Sequence, residues 1–519
     1  MRGIAMRKNL RFIVLTLAAV MLMGLFSACS SSNNNEKNAA TNNPSNTGQE
    51  SGGSSNEAIK DPFEITLALP IIGATPADIG LVQEEMSKIT KEKINATVKI
   101  LPISIGTWTQ QMNLMSSSGE KLDLLFEFGQ GYSAAMAAGK IISLDSLLDQ
   151  YGAGIKQAIG PEYLASAKLK GETYGVPVYK DYTTGTNSIL MDKALVEKHK
   201  IDVTSIKGLD DLDPIFKTIK ENEPGIVPFA VGLSVPADKY GEYDRLGNRF
   251  GVLPGFDNGL KIENIFESKE YEDYLNKMHS WFKAGYINKD AATSQINGTE
   301  MVKAGKAFSY FDGLKVGGAE VQSAAAGKEL IAVPISSNTY ATTTDATAGL
   351  WSISNNSKNP ERTMMFLDLM YTDKALTNLF LWGIEGKHYV KVSDNIIEYP
   401  EGISATTVGY SLQTWMVPNQ SIGYIRTTDL PNVWELTAEA NKNAIKSKAL
   451  GFAFNSEPVK NEITALNNVI EQYRKALESG TFDPADKLQE LRDKLKSSGI
   501  DKVIAEKQKQ LDEWAATNK

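Results

Sequence analysis

The chain has 519 residues, 62 acids against 54 lysines and arginines for a formal charge of −8, and one cysteine. That length exceeds what a single core normally holds, so at least two lobes are expected. The acidic balance disfavours a nucleic-acid partner, and a lone thiol excludes an intramolecular disulfide.

The N-terminal stretch Met6-Arg7-Lys8-Asn9-Leu10-Arg11 is cationic, and from Phe12 to Phe26 only Thr16 is polar. These are the charged and apolar regions of an export signal. The apolar run falls short of the ~20 residues of a spanning helix. An uncleaved anchor helix fits less well, because the flank Ser27-Ala28 is small and uncharged. The segment Leu25-Phe26-Ser27-Ala28-Cys29 resembles the bacterial lipoprotein signal, in which the Cys thiol is lipidated and becomes residue one. Phe26 departs from the small aliphatic residue usual at that place. The resemblance implies that residues 1–28 are removed and that Cys29 carries lipid, enough acyl chains for stable anchoring. Loss of Arg2, Arg7, Lys8 and Arg11 takes the charge from −8 to −12. Residues 29–61 follow as the lipidated Cys and a tether. They hold almost no apolar side chains and cannot offset chain entropy by burial, and as a flexible coil they span roughly 30 Å.

Folded sequence begins at Phe63. FEITLALP alternates Phe63, Ile65, Leu67 and Leu69 as a strand does. Residues 77 to 92 place Ile79, Val82, Met86 and Ile89 at helical spacing, and strand-like INATVKIL follows at 94 to 101. A helix through Trp108, Met112 and Met115 leads into LDLLFEF at 122 to 128, and another begins near Tyr132. This β-α-β-α-β order predicts a parallel sheet with helical crossovers. Past residue 355 helical periodicity dominates, and Asn359-Pro360-Glu361 reads as N-cap, first-turn proline and first-turn acid. Between Pro484 and Trp514, leucines at 488, 491 and 495, then Gly499, then Ile500, Val503 and Leu511 predict two helices packed on the body.

Motifs for covalent or metal chemistry are few. His199, His279 and His388 are isolated, without a second ligand at metal-binding spacing. Cys29 lies in the tether, so a Cys nucleophile is disfavoured. There is no Gly-x-Ser-x-Gly elbow, and Gly305-Lys306 and Gly327-Lys328 lack the Ser or Thr of a phosphate loop. Asp192 and Asp210-Asp211-x-Asp213 offer the two acids a glycosidase needs. In so acidic a chain these read more simply as solvated faces and caps. No metal or cofactor is expected.

MNLMSSSGEKLDLLFEFGQGYSAAMAAGKIISLDSLLDQYG at 112–152 resembles the extracellular solute-binding proteins of bacterial ABC importers. GETYGVPVY at 171–179, ILMDKALVEKHKID at 189–202, GKAFSYFDG at 305–313 and SKNPERTMMFLDLMYTDKAL at 357–376 follow in the family's order. WGIEGKHYV, WMVPNQ, LGFAFNSEPVKNEI and GIDKVIAEKQKQLDEW resemble a Gram-positive sugar-importer lipoprotein subgroup with a C-terminal extension. Val417-Pro418 departs from the subgroup pattern before Asn419-Gln420. The resemblance implies an α/β fold of two lobes of the periplasmic-binding-protein type (type II), plus a helical extension at 471–519. It implies crossings near Tyr174 to Tyr179, Ala307 to Tyr310 and Ala348 to Ile353. One lobe would then be 63–176 plus 308–346, and the other 178–306 plus 349–470.

A sugar cleft wants flat aromatic surfaces beside planar hydrogen-bonding side chains. Near the implied crossings stand Tyr179, Asp181 and Tyr182; Tyr310, Phe311 and Asp312; and Trp415 with Asn419 and Gln420. Trp415 reads equally as core, Asp181 also as a cap, and Trp108, Trp351 and Trp382 more readily as packing. The expected protein is a non-enzymatic monomer, lipid-anchored on the outer face of the cytoplasmic membrane. It would capture an oligosaccharide by hinge closure and pass it to the ABC permease subunits. A carbohydrate-active enzyme or surface sensor on the same lobes, and a peptide-binding lipoprotein, are the rival readings.

Overall fold

The structure, a computed structural model, describes residues 59–238, 241–255, 258–335 and 338–518. Cys29, the signal segment and nearly all of the tether lie outside the described residues. The described residues form one compact unit. Nine strands matter here: β1 (Phe63–Ile71), β2 (Ala96–Ser104), β3 (Leu124–Phe128), β4 (Val176–Pro177), β5 (Thr186–Asp192), β6 (Val227–Ala230), β7 (Ala307–Leu314), β8 (Leu330–Pro334) and β9 (Gly349–Ile353). The helices used below are α1 (Ile79–Ile94), α2 (Trp108–Ser118), α3 (Lys269–Lys283), α4 (Pro360–Thr372), α5 (Lys374–Trp382), α6 (Val433–Asn443), α7 (Lys460–Glu478), α8 (Pro484–Ser497) and α9 (Ile500–Thr517).

The first sheet has the order β2-β1-β3-β9-β4. β1 runs parallel to β2 from Phe63 against Ala96 to Ile71 against Ser104, and parallel to β3. The alternation read at Phe63 thus becomes an interior strand of the sheet, between β2 and β3, with α1 and α2 as crossovers. The second sheet has the order β8-β5-β7-β6. There β5 lies antiparallel to both β7 and β8, and β6 parallel to β7.

The strand pairing reverses the expected partition after residue 306. β7 pairs with β5 over six residues, so 307–334 stays in the second lobe. β9 pairs antiparallel with β3, so the chain returns to the first lobe at 349. α4 and α5 then pack with the first-lobe core through Phe366, Leu367, Met370 and Leu381. Crossings therefore fall near 178–186, 335–342 and 444–459, and only the first lies near its expected place. The physical reason is register: side-chain pattern identifies each strand, but only backbone pairing decides which sheet it joins.

Each lobe has its own core. The first gathers buried residues from 65–182 and 341–444. The second gathers 189–333 and then Val459, Leu466, Ile470, Leu477, Leu488, Leu491, Leu495, Ile500 and Val503. The C-terminal helices are consequently part of the second lobe's interior. α8 starts as its sequence suggests, with Pro484 in the first turn and Asp483 accepting the Ala485 N–H at 3.0 Å.

In the first lobe, Asn359 caps α4 by accepting the Arg362 N–H at 2.9 Å. The buried Arg362 guanidinium donates to the carbonyls of Ile94 (2.8 Å), Asn95 (2.9 Å) and Asp61 (3.2 Å). A cation thus meets the carbonyl end of α1, where the helix dipole favours it, and ties down the chain's entry into β1. Trp108, Trp351 and Trp382 are buried as packing residues.

Candidate ligand-binding cleft

The first crossing is fastened at nearly every residue. The Tyr179 N–H donates to Pro418 O at 2.7 Å. Asn441 on α6 donates from Nδ2 to Lys180 O and accepts the Tyr182 N–H, both at 2.8 Å. Thr184 donates its N–H to Tyr340 O on the second crossing at 2.6 Å. Gly185 sits at φ +80°, and a Cβ there would lie 3.0 Å from Leu314 O, so a side chain would meet both torsional and steric strain.

Asp181 is 9% exposed and faces a groove of about 510 Å³. First-lobe residues such as Leu430, Leu436 and Glu439 bound it on one side, and Leu314, Lys315 and Glu320 of the second lobe on the other. The Asp181 carboxylate accepts the Thr183 N–H at 2.8 Å and the Val316 N–H at 3.2 Å. Lys315 Nζ donates to Asp181 O (3.0 Å) and Thr183 O (2.5 Å), with the Asp181 carboxylate at 3.9 Å. A second-lobe cation is therefore seated on a first-crossing turn, and both line the groove. Burial, helped by nearby Lys315, pulls the Lys180 ammonium down to about 8.

The other predicted residues divide. Trp415 is half-buried, its ring 5.5 Å from Phe126 and 5.9 Å from Phe128 at the end of β3. Tyr179 is also half-buried and bridges to Asn419. Gln420 is 9% exposed and its Nε2 has no protein acceptor. Asp312 accepts the Gly313 N–H at 2.8 Å and the Gln322 Nε2–H at 3.2 Å, two positions before Leu314 of the groove's lining.

Tyr182, Tyr310, Phe311 and Asn419 are placed otherwise than expected. Tyr182 is fully buried and stacked on Tyr163 with centroids 4.2 Å apart. Tyr310 and Phe311 point to opposite faces of β7, into two apolar clusters. The Tyr310 hydroxyl donates to Gln322 at 3.0 Å, and its pKa is pushed up to about 12 by burial. Asn419 donates to Tyr371 O at 2.8 Å and caps the turn at Ser421. These side chains are consumed by packing and internal hydrogen bonds.

Lys315, Thr183 and Asn441 are the contributors missed in the sequence. Asn441 carried a signal, as a polar residue on the buried side of α6; Lys315 carried none. Two further cavities flank the crossings. One of about 180 Å³ is polar and lined by Thr184, Tyr243, Arg245, Tyr340, Thr342 and Asp345. Another, of about 1080 Å³, lies between first-lobe residues 162–171 and α9. Among the described residues, no group of three acidic, His or Cys side chains could hold a metal, and no helix is long and apolar enough to cross a membrane.

Comparison with known proteins places this geometry. The family described as bacterial extracellular solute-binding protein matches residues 75–377, and a domain of unknown function, DUF3502, matches 448–516. A carbohydrate ABC transporter substrate-binding protein of Streptococcus pneumoniae serotype 4 is 30% identical over 471 residues, 90% of this chain and 94% of that protein. Lipoprotein LipO of Bacillus subtilis is 25% identical over 368 residues, 65% of this chain and 69% of its own. The crystal structure of the N-glycan transport solute-binding protein NgtS from Streptococcus pneumoniae superposes with a TM-score of 0.77 at 29% identity, covering 88% of this chain and all of that one. The NgtS complex with Man5GlcNAc, at the same identity and coverage, gives 0.65.

Proposed function

The chain belongs to the bacterial extracellular solute-binding proteins, and from that membership we propose that it captures a carbohydrate outside the cell for an ABC importer. The observation that carries this reading is the groove at Asp181 and Lys315, bounded by two separately cored lobes and floored by the chain crossings. Two lobes joined in this way close around ligand by bending at the crossings. The likeness to NgtS supports such motion. The same relative matches this chain at 0.77 in the NgtS crystal structure and at 0.65 in its Man5GlcNAc complex.

The ligand is an oligosaccharide, of the N-glycan kind named for the relatives. Trp415 and Tyr179 supply aromatic surface, and Asp181, Asp312 and Gln420 supply planar hydrogen-bonding groups. The protein performs no bond-making chemistry; it binds, closes and releases to the permease subunits as a monomer. Cys29 is the lipid attachment point that holds it on the outer face of the cytoplasmic membrane.

Calorimetric titration with Man5GlcNAc and shorter fragments tests capture. Saturable binding with the sugar recovered intact and a raised melting temperature is the expected result. New reducing ends would instead make the protein an enzyme, and stabilisation by peptide pools alone would make it a peptide receptor. Replacing Cys29 with Ser is expected to release protein to the medium with unchanged affinity, and persistent membrane retention would defeat the anchoring role.

A further inference from the structure

Between Tyr243 and Pro254 the second lobe carries a short hairpin, Tyr243–Asp244 paired antiparallel with Leu253–Pro254. Its connecting loop turns carbonyls inward instead of toward solvent. Lys507 of α9 fills that ring. Its Nζ lies 2.8 Å from Gly251 O, 3.0 Å from Asn248 Oδ1, 3.2 Å from Asn248 O and 3.4 Å from Arg245 O, and the side chain is 0% exposed. Val503, Lys507 and Leu511 share one face of α9, so a lysine occupies the middle of an apolar stripe. A fully buried amine is costly unless its donors are matched, and here four oxygens match them.

The same hairpin region reaches the second and third crossings. Glu242 accepts the Tyr340 hydroxyl of the second crossing at 2.6 Å. Buried Asp244 accepts the Leu246 N–H at 2.9 Å, and the Ser447 side chain of the third crossing opposes the rise that burial imposes on its carboxyl. Between these anchors Tyr243 and Arg245, the guanidinium 5.6 Å from the Tyr243 ring centroid, wall the 180 Å³ cavity whose opposite side is Thr342, Thr344 and Asp345. An aromatic face, a forked donor, hydroxyls and a carboxylate converge there, the set that hydroxyl-rich sugar rings require.

We propose that Lys507 is a positioning residue through which the C-terminal extension sets Tyr243 and Arg245 as the wall of a second sugar-binding pocket at the hinge. The extension then has a role in recognition as well as in the second-lobe core. The pocket's ligand class rests on the carbohydrate reading above; the hold of Lys507 on the loop does not.

Hydrogen exchange on ligand-free protein reads that hold directly. In Lys507→Met the amides of residues 241–251 are expected to exchange about tenfold faster or more, while those of β5 and α7 keep their protection; unchanged loop protection would overturn the proposal. Titration with Man5GlcNAc then compares wild type, Lys507→Met, Arg245→Ala and the double variant. Each single change is expected to weaken binding about tenfold, and the double change to be no weaker than the worse single one, since both act through one wall. Multiplying losses, or wild-type affinity in Arg245→Ala, would overturn it. If Lys507→Met does not fold, Asn248→Ala, which removes one of the four oxygens, takes its place in both measurements with the same criteria. Failure of wild type to bind any glycan would defeat the carbohydrate reading and the pocket with it, while the exchange result still decides whether Lys507 fixes the loop.

Discussion

The two lobes solve one packing problem in different ways. The first covers its sheet with helices that alternate with its strands, and its core closes with residues before 445. The second has a four-stranded mixed sheet whose core is completed only when α7, α8 and the start of α9 arrive, more than a hundred residues after β8. The lesson is that a C-terminal segment can look like an addition in chain order and still be interior in space. Tyr271 and Tyr274 of α3 make the dependence explicit, donating to Glu478 of α7 through its carboxylate (3.2 Å) and its carbonyl (2.9 Å).

The most severe way to break this contrast is to stop the chain after Val459. The second lobe is expected to lose cooperative folding while the first survives as a protease-resistant body, read by limited proteolysis with mass mapping. Survival of both lobes would make the extension dispensable. Next, Leu491→Ala, at a fully buried site in α8, is expected to cost about 2–5 kcal/mol. Urea unfolding should show the loss in the second lobe's transition.

Titration sharpens the same contrast. In the first lobe, burial pushes the Glu127 carboxyl up to about 7, with Lys140 opposing. Between the unfolded value near 4.5 and 7, the folded state keeps a proton the unfolded state has lost. Stability therefore falls as pH rises across that window, by about 3 kcal/mol at 1.36 kcal/mol per pH unit. Glu127→Gln is expected to remove the decline, seen as converging then diverging melting temperatures against wild type. In the second lobe, burial pulls Lys507 down to about 7, with Asp244 opposing. The unfolded chain keeps that proton up to about 10.5, so this group makes stability rise with pH between 7 and 10.5, the opposite slope. The smallest effect is expected at the joint between lobes. Gly185→Ala at φ +80° should cost about 1–2 kcal/mol, and ligand titration should show a change in affinity because the strain falls on the crossing.

Much of the first lobe was legible because its elements are local and regular. The alternation at Phe63–Leu69 and the cap at Asn359-Pro360 each state their own structure in a few residues. The lobe partition was not legible, since β7 and β9 read alike as apolar strands and differ only in the partner each finds. The groove was legible at Asp181, a polar residue on a crossing that does line it. An aromatic beside an acid is an ambiguous signal: Tyr182 and Tyr310 spend their rings on packing. Lys315 joins Asp181 across 134 positions of sequence, and no local pattern encodes such a meeting. Lys507 did leave a trace, a charge four residues from Val503 and four from Leu511 on the buried face of a helix.

Arg362 fastens the chain's entry, at Asp61, to the far end of α1 in the first lobe. Whatever pulls on the residues before 59 thus pulls on the first lobe alone. In mechanical terms the proposed closure would make the first lobe the stator and the second, with α7 to α9 in its core, the swinging arm. Under the proposed anchoring at Cys29, a load on the chain before residue 59 would pass into β1 and α4 and bypass the crossings that border the groove.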